Sequence, residues 1–134
     1  MSLIYKGIET VDPIERMKQH ELTKSLWQKL NEMSIKTGNK GRITGYIVSN
    51  SLEDLLELKK QYQDDFEATI FNDEEDSTQI IQIKTPISRL SLEALIELAD
   101  ILMISAVEFN AKFNGLELDI NEVKKLNAPW WKFW

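Results

Sequence analysis

The chain has 134 residues, 43% of them hydrophobic and 28% charged, with no cysteine and a single histidine. This balance suits one soluble domain with its own core and excludes a fibrous chain or one disordered throughout. With no cysteine and only His20, disulfide frameworks, Cys-based zinc sites, thiol nucleophiles and triads needing two histidines are excluded, so neither a metal nor a cofactor is expected. No segment approaches the roughly 20 apolar residues of a membrane-spanning helix, and the first six residues lack a basic flank leading into an apolar stretch. The expectation is a cytoplasmic protein that does not bind a membrane. Sixteen Lys and Arg against 22 Asp and Glu give a net charge of -6, which repels a phosphate backbone, so no direct nucleic-acid contact is expected. The charge is local: the window 64–76 holds Asp64, Asp65, Glu67, Asp73, Glu74, Glu75 and Asp76 and no base, hence -7, and the rest of the chain sums to +1.

A short N-terminal strand or arm (Leu3, Ile4, Tyr5, Ile8) comes first. Asp12-Pro13-Ile14-Glu15 then combines an N-cap acid, proline at the first helical position and an acid in the first turn, which predicts a helix start. Ile14, Met17, Leu22, Leu26, Trp27, Leu30 and Met33 recur at roughly helical spacing, predicting one buried stripe up to the polar stretch 37–41, with a break near His20 left open. Trp27 is expected in the core and His20 on the solvated surface.

From Arg42 the period changes. Ile43, Thr44, Tyr46, Ile47 and Val48 predict a first strand ending at Asn50-Ser51. Two overlapping capping boxes, Asn50 with Glu53 and Ser51 with Asp54, open a helix through Leu52, Leu55, Leu56, Lys59 and Tyr62. Phe66, Ala68 and Ile70 alternate with Glu67, Thr69 and Phe71; Ile80, Ile81 and Ile83 follow an acidic link, predicting a hairpin. After Pro86, Ser91 caps a long helix through Leu92, Leu95, Ile96, Ala99, Leu102, Met103, Ala106 and Phe109 or Phe113, ending at Asn114-Gly115. Leu116, Leu118 and Ile120 alternate with Glu117, Asp119 and Asn121, predicting a fourth strand.

The order is βαββαβ, which predicts an α+β, ferredoxin-like antiparallel sheet with both helices on one face, an added N-terminal helix and an aromatic C-terminal tail. One domain is expected, divided into 1–41 (arm and helix), 42–121 (core) and 122–134 (tail). The first and third strands, apolar on both faces, belong in the centre. Helices cover one face only, so Tyr46, Val48, Phe71 and Ile80 require a cover from the N-terminal helix, the tail or a second subunit of a homodimer.

This succession, a helix ending near Met33, a polar link, a strand entering a Ser-capped helix, an acidic hairpin, and Lys84-Thr85 leading to a long helix and a short strand, resembles the ribonuclease E inhibitor family called regulator of ribonuclease activity B. The resemblance covers about residues 22–121 and is one of element order. Members of that family typically carry Tyr-Asp-Gly-Trp in the last strand, where this chain reads Asn114-Gly115-Leu116-Glu117-Leu118-Asp119-Ile120. They often end in an acidic tail, where this chain carries Lys124, Lys125, Lys132 and four aromatics, Trp130, Trp131, Phe133 and Trp134. The resemblance implies a non-enzymatic regulator that binds a protein, with a ribonuclease or another basic protein as partner.

The candidate partner-binding residues are therefore Asp73, Glu74, Glu75 and Asp76, whose charge could occupy a basic groove, and Trp130, Trp131, Phe133 and Trp134. The acidic run also reads as a solvated loop that discourages edge pairing, and the aromatic run as a segment docked on its own sheet. No catalytic residue is expected. An enzyme reading would use a carboxylate such as Asp119 or Glu117, which lie two apart on one predicted strand face. A small acidic immunity-type protein that neutralises a basic toxin, or a homo-oligomer of another function, is the alternative.

Overall fold

The computed structural model describes residues 7–72 and 77–128. A 3₁₀ turn, Ile8–Thr10, leads into α1, Pro13–Glu32. Asp12 caps α1 by accepting the Ile14 amide at 3.0 Å, with Pro13 in the first turn. The helix runs unbroken through His20. It stops where Ser34 adopts a left-handed backbone (φ 72°) and the Ile35 amide returns to Leu30 O at 2.9 Å, placing Ile35 in the core.

A two-residue strand, β1 (Lys40–Gly41), precedes β2 (Thr44–Ser49) and α2 (Leu52–Tyr62). Ser51 is the cap of α2, its Oγ accepting the Asp54 amide at 3.2 Å, so the second of the two predicted boxes is the one used. The hairpin follows as β3 (Glu67–Asn72) and β4 (Gln79–Lys84), paired antiparallel from Glu67 opposite Lys84 to Asn72 opposite Gln79. Another short strand, β5 (Ser88–Arg89), pairs with β1. Next come α3 (Leu92–Glu108), capped by Ser91, then β6 (Lys112–Glu117) and α4 (Ile120–Leu126).

The class is α+β. The four-stranded sheet has the order β3-β4-β2-β6, every neighbouring pair antiparallel, so the first and third long strands are the inner ones, as their two-sided apolarity predicts. Helix α2 lies against β3 and β4, and α3 against β6 and β2. On that face Ile47, Ile81 and Ile83 are fully buried and Phe113 nearly so. Gly45 decides how closely α3 approaches: a Cβ there would lie 2.2 Å from Leu102 Cδ1, so only glycine admits that contact. Helices α2 and α3 are joined through Tyr62, whose hydroxyl hydrogen-bonds Ser105 Oγ in the interior. That burial raises the Tyr62 pKa.

Four expectations need correction. The last strand is 112–117, not 116–120, because α3 ends at Glu108 and Asn110 (φ 53°) turns the chain. Phe113 is therefore a strand residue. Asp119 does not alternate in a strand: its carboxylate accepts the Glu122 amide at 3.1 Å and starts α4, so residues 120–126, predicted as the end of the core and the start of the tail, are helical. The buried side of α1 is Thr23, Trp27 and Leu30, whereas Ile14, Met17 and Leu22 are exposed. The reason is that α1 packs against α3 through the polar stripe Arg16, His20 and Thr23, which continues into Trp27 and Leu30 at steps of four, three, four and three. Trp27 is in the core as predicted. Of the predicted N-terminal arm, Leu3, Ile4 and Tyr5 lie outside the described residues, and Ile8 belongs to the 3₁₀ turn rather than to a strand.

Candidate partner-binding face

The face of the sheet turned away from α2 and α3 carries three cross-strand rows. At one end Phe71, Ile80 and Val48 stand side by side on β3, β4 and β2, with Lys112 of β6 next to Val48. The middle row is Thr69, Gln82 and Tyr46. At the other end Glu67, Lys84, Thr44 and Glu117 line up across all four strands. Phe71 retains 47% of its surface, and Tyr46, Val48 and Ile80 are half-buried. Among the described residues nothing covers this row. Helix α1, one of the three predicted covers, sits instead on α3.

Beside Tyr46 the pairing of β2 with β6 slips, and Gly115 takes a left-handed backbone (φ 105°). The resulting bulge opens a shallow hollow of about 530 Å³ bounded by Tyr46, Phe71, Ile80, Gln82, Asn114 and Glu117. The Tyr46 hydroxyl donates to Glu117 Oε1 at 2.6 Å. Burial, then the hydrogen bond and negative charge of Glu117, push the Tyr46 pKa up to about 12. A smaller hollow of about 120 Å³ lies at the charged end, among Arg42, Lys84, Glu117, Asp119 and Glu122. Arg42 Nη1 donates to Glu67 Oε2 at 3.0 Å, while its Nε is buried without a partner among the described residues. Acids and bases alternate here, and no three Asp, Glu or His side chains among the described residues are placed to hold a metal ion. Of the pair Glu117 and Asp119, one accepts from Tyr46 and the other caps α4, and both border this hollow.

A second polar constellation lies between α1 and α3. Asp100, only 3% exposed, accepts from Arg16 Nε at 3.1 Å and Arg16 Nη2 at 3.0 Å, and Oδ1 also meets His20 Nε2 at 2.7 Å. The carboxylate raises the Arg16 pKa. His20 is thus a partner of a buried acid, which corrects its assignment to the solvated surface. The readable signal is Asp100 itself, one acid inside the apolar run 98–104, where a buried carboxylate demands donors. The arrangement fixes α1 on α3 and brings no nucleophile to the imidazole among the contacts described.

The residues singled out from sequence fall elsewhere. Asp73, Glu74, Glu75, Asp76, Trp130, Trp131, Phe133 and Trp134 all lie outside the described residues. The described chain leads up to them at Asn72 of β3 and at Ala128 beyond α4. Among the described residues no helix is long and apolar enough to cross a membrane. No protein-family model matches the sequence, and no curated protein matches it.

Proposed function

We propose that this chain is a non-catalytic protein-interaction module of ferredoxin-like topology, resembling the ribonuclease E inhibitors, and that it binds and modulates a basic protein such as an RNA-degrading enzyme. The strand order β3-β4-β2-β6 with two helices on one side supports the ferredoxin-like reading. The observation that carries the function is the open sheet face, where an aromatic-aliphatic row of Phe71, Ile80 and Val48 lies at one end, a mixed-charge row at the other, and Thr69, Gln82 and Tyr46 between them. Exposed apolar residues sharing one face with polar and charged ones are the composition of a transient protein interface. The -7 window, which contains all of β3, supplies the field that would draw a basic partner and compete with RNA for it.

The test is a binding and inhibition assay with purified ribonuclease E and a fluorescent RNA substrate, at low and moderate salt. The full chain should slow cleavage at low salt, lose that effect as salt rises, and lose it at all salts when Phe71 and Ile80 are both replaced by Asp while the far-UV spectrum is kept. An absence of any complex at low salt would remove this enzyme as partner. Binding that is insensitive to both salt and the double substitution would remove the open face as the site.

A further inference from the structure

The short ribbon of β1 and β5, with α4 against it, forms a basic end on an acidic protein. Three segments meet there: 33–41, which leads from α1 into β1; 85–91, which holds β5; and 123–128, the greater part of α4 and its end. They contain five bases, Lys36, Lys40, Arg89, Lys124 and Lys125, and no acid, whereas the whole chain carries -6. All five are exposed, and among the described residues none of them forms an ion pair. The ribbon has only two residue pairs, and one of them sets Lys40 directly opposite Arg89. Residues directly opposite each other in an antiparallel pair share a face, where like charges destabilise the pairing. An anion lying between them would turn that repulsion into attraction.

Shape narrows the choice of anion. Between the loop 34–39 and α4 lies a hollow of about 310 Å³ lined by Ser34, Ile35, Asn39, Val123, Lys124 and Asn127. Lys36 follows Ile35 and Lys40 follows Asn39 in the chain, so three of the five bases line or adjoin it. A flexible single strand of phosphodiesters can run along the ribbon and enter the hollow beside it, whereas a bilayer surface or a stiff duplex cannot. Among the described residues Arg89 commits one donor, at 3.4 Å to Gly38 O, and a guanidinium fork suits phosphate oxygens. The net charge of -6 opposes phosphate only as an average over the chain, because charges more than about 8 Å away are largely screened at physiological ionic strength. We infer that the β1-β5 ribbon and α4 form a binding surface for the phosphate backbone of a single-stranded nucleic acid. None of these residues belongs to the open sheet face, so the inference stands apart from the protein partner proposed above.

The experiment uses the full chain and a fluorescein-labelled oligouridylate, with binding followed by anisotropy over a salt series and mapped by amide chemical shifts of the ¹⁵N-labelled protein. Five phosphate contacts predict a slope of about -3.5 in log affinity against log salt. The pair Lys40→Gln and Arg89→Gln, or the pair Lys124→Gln and Lys125→Gln, should weaken binding at least tenfold and flatten that slope by about 1.4. Lys24→Gln and Lys60→Gln, each removing a base already paired with a glutamate, should change affinity less than twofold. The first pair also relieves the cross-strand repulsion, so its melting temperature should be no lower than the parent's, which separates lost binding from lost fold. Shifts should concentrate in 36–41, 88–89 and 123–127. An absence of saturable binding at low salt overturns the inference, as do equal losses for the Lys24 and Lys60 variants or shifts centred on another element. Competition by polyglutamate as strong as by unlabelled oligouridylate would assign the surface to an acidic polypeptide instead. Co-sedimentation with phosphatidylserine vesicles, without oligouridylate binding, would assign it to a membrane, and tighter binding of duplex RNA would exclude the single strand.

Discussion

Replacing Asp100 by Ala removes the carboxylate that holds α1 on α3. Three contacts are lost, two from the Arg16 guanidinium and one from His20, each a hydrogen bond to a charged group worth roughly 1.5–3 kcal/mol net. They do not add in full. The Arg16 side chain is 36% exposed and recovers water when Asp100 is gone, whereas the His20 side chain, 22% exposed, recovers less. Alanine also gains about 0.6 kcal/mol of helix propensity over aspartate. The expected net loss is about 2–4 kcal/mol, which for 134 residues lowers Tm by about 7–14 °C at an unfolding entropy of about 2.1 cal/mol/K per residue. Urea unfolding followed by circular dichroism measures it, with a double-mutant cycle against Arg16→Ala to isolate the pair. A loss below about 0.5 kcal/mol at unchanged m, or a coupling of zero, would refute the view that this cluster clasps the helix.

Gly45→Ala should cost about 1–3 kcal/mol, since the added methyl meets the fully buried Leu102; calorimetry checks it, and a Leu102→Ala background should relieve part of the cost. Tyr46 titrates at about 12 in the folded chain against about 10 when unfolded, so the folded state favours the neutral phenol. Its stabilising contribution is whole below pH 10 and is lost as pH rises from 10 to 12, which phenolate absorbance and alkaline melts of Tyr46→Phe would follow. Glu117→Gln should bring that titration down only in part, because burial is the larger cause. Asp119→Ala removes the cap of α4 and should cost about 1 kcal/mol, read by urea melts, without loss of the sheet.

What the sequence disclosed follows from which signals are local. Helices α2 and α3 announce themselves through serine caps and one-sided apolar residues, and the β3-β4 hairpin through alternation on both sides of an acidic link. The orientation of α1 was hidden because its buried stripe begins with Arg16, His20 and Thr23, residues that become interior only once Asp100 meets two of them. Apolarity pointed the wrong way, toward Ile14, Met17 and Leu22, which stay exposed. The last strand was placed too late and helix α4 was missed because Leu116, Leu118 and Ile120 happen to alternate. The Asp119-to-Glu122 spacing, a cap followed by an acid three residues on, was the readable signal for the helix. The open face was legible as a need for a cover. The short β1-β5 pair was not, since two residues a side hold no period.

The side chain of Asn127 mimics a strand neighbour, accepting from Lys40 N at 2.7 Å and donating to Lys40 O at 2.8 Å across 87 positions of sequence. Such a contact closes a long loop and ties α4 to the short strand β1. The amide proton of Lys40, on an exposed residue of a two-residue strand, is thereby a reporter: its exchange with deuterium should track release of α4 and outpace exchange from the centre of β2.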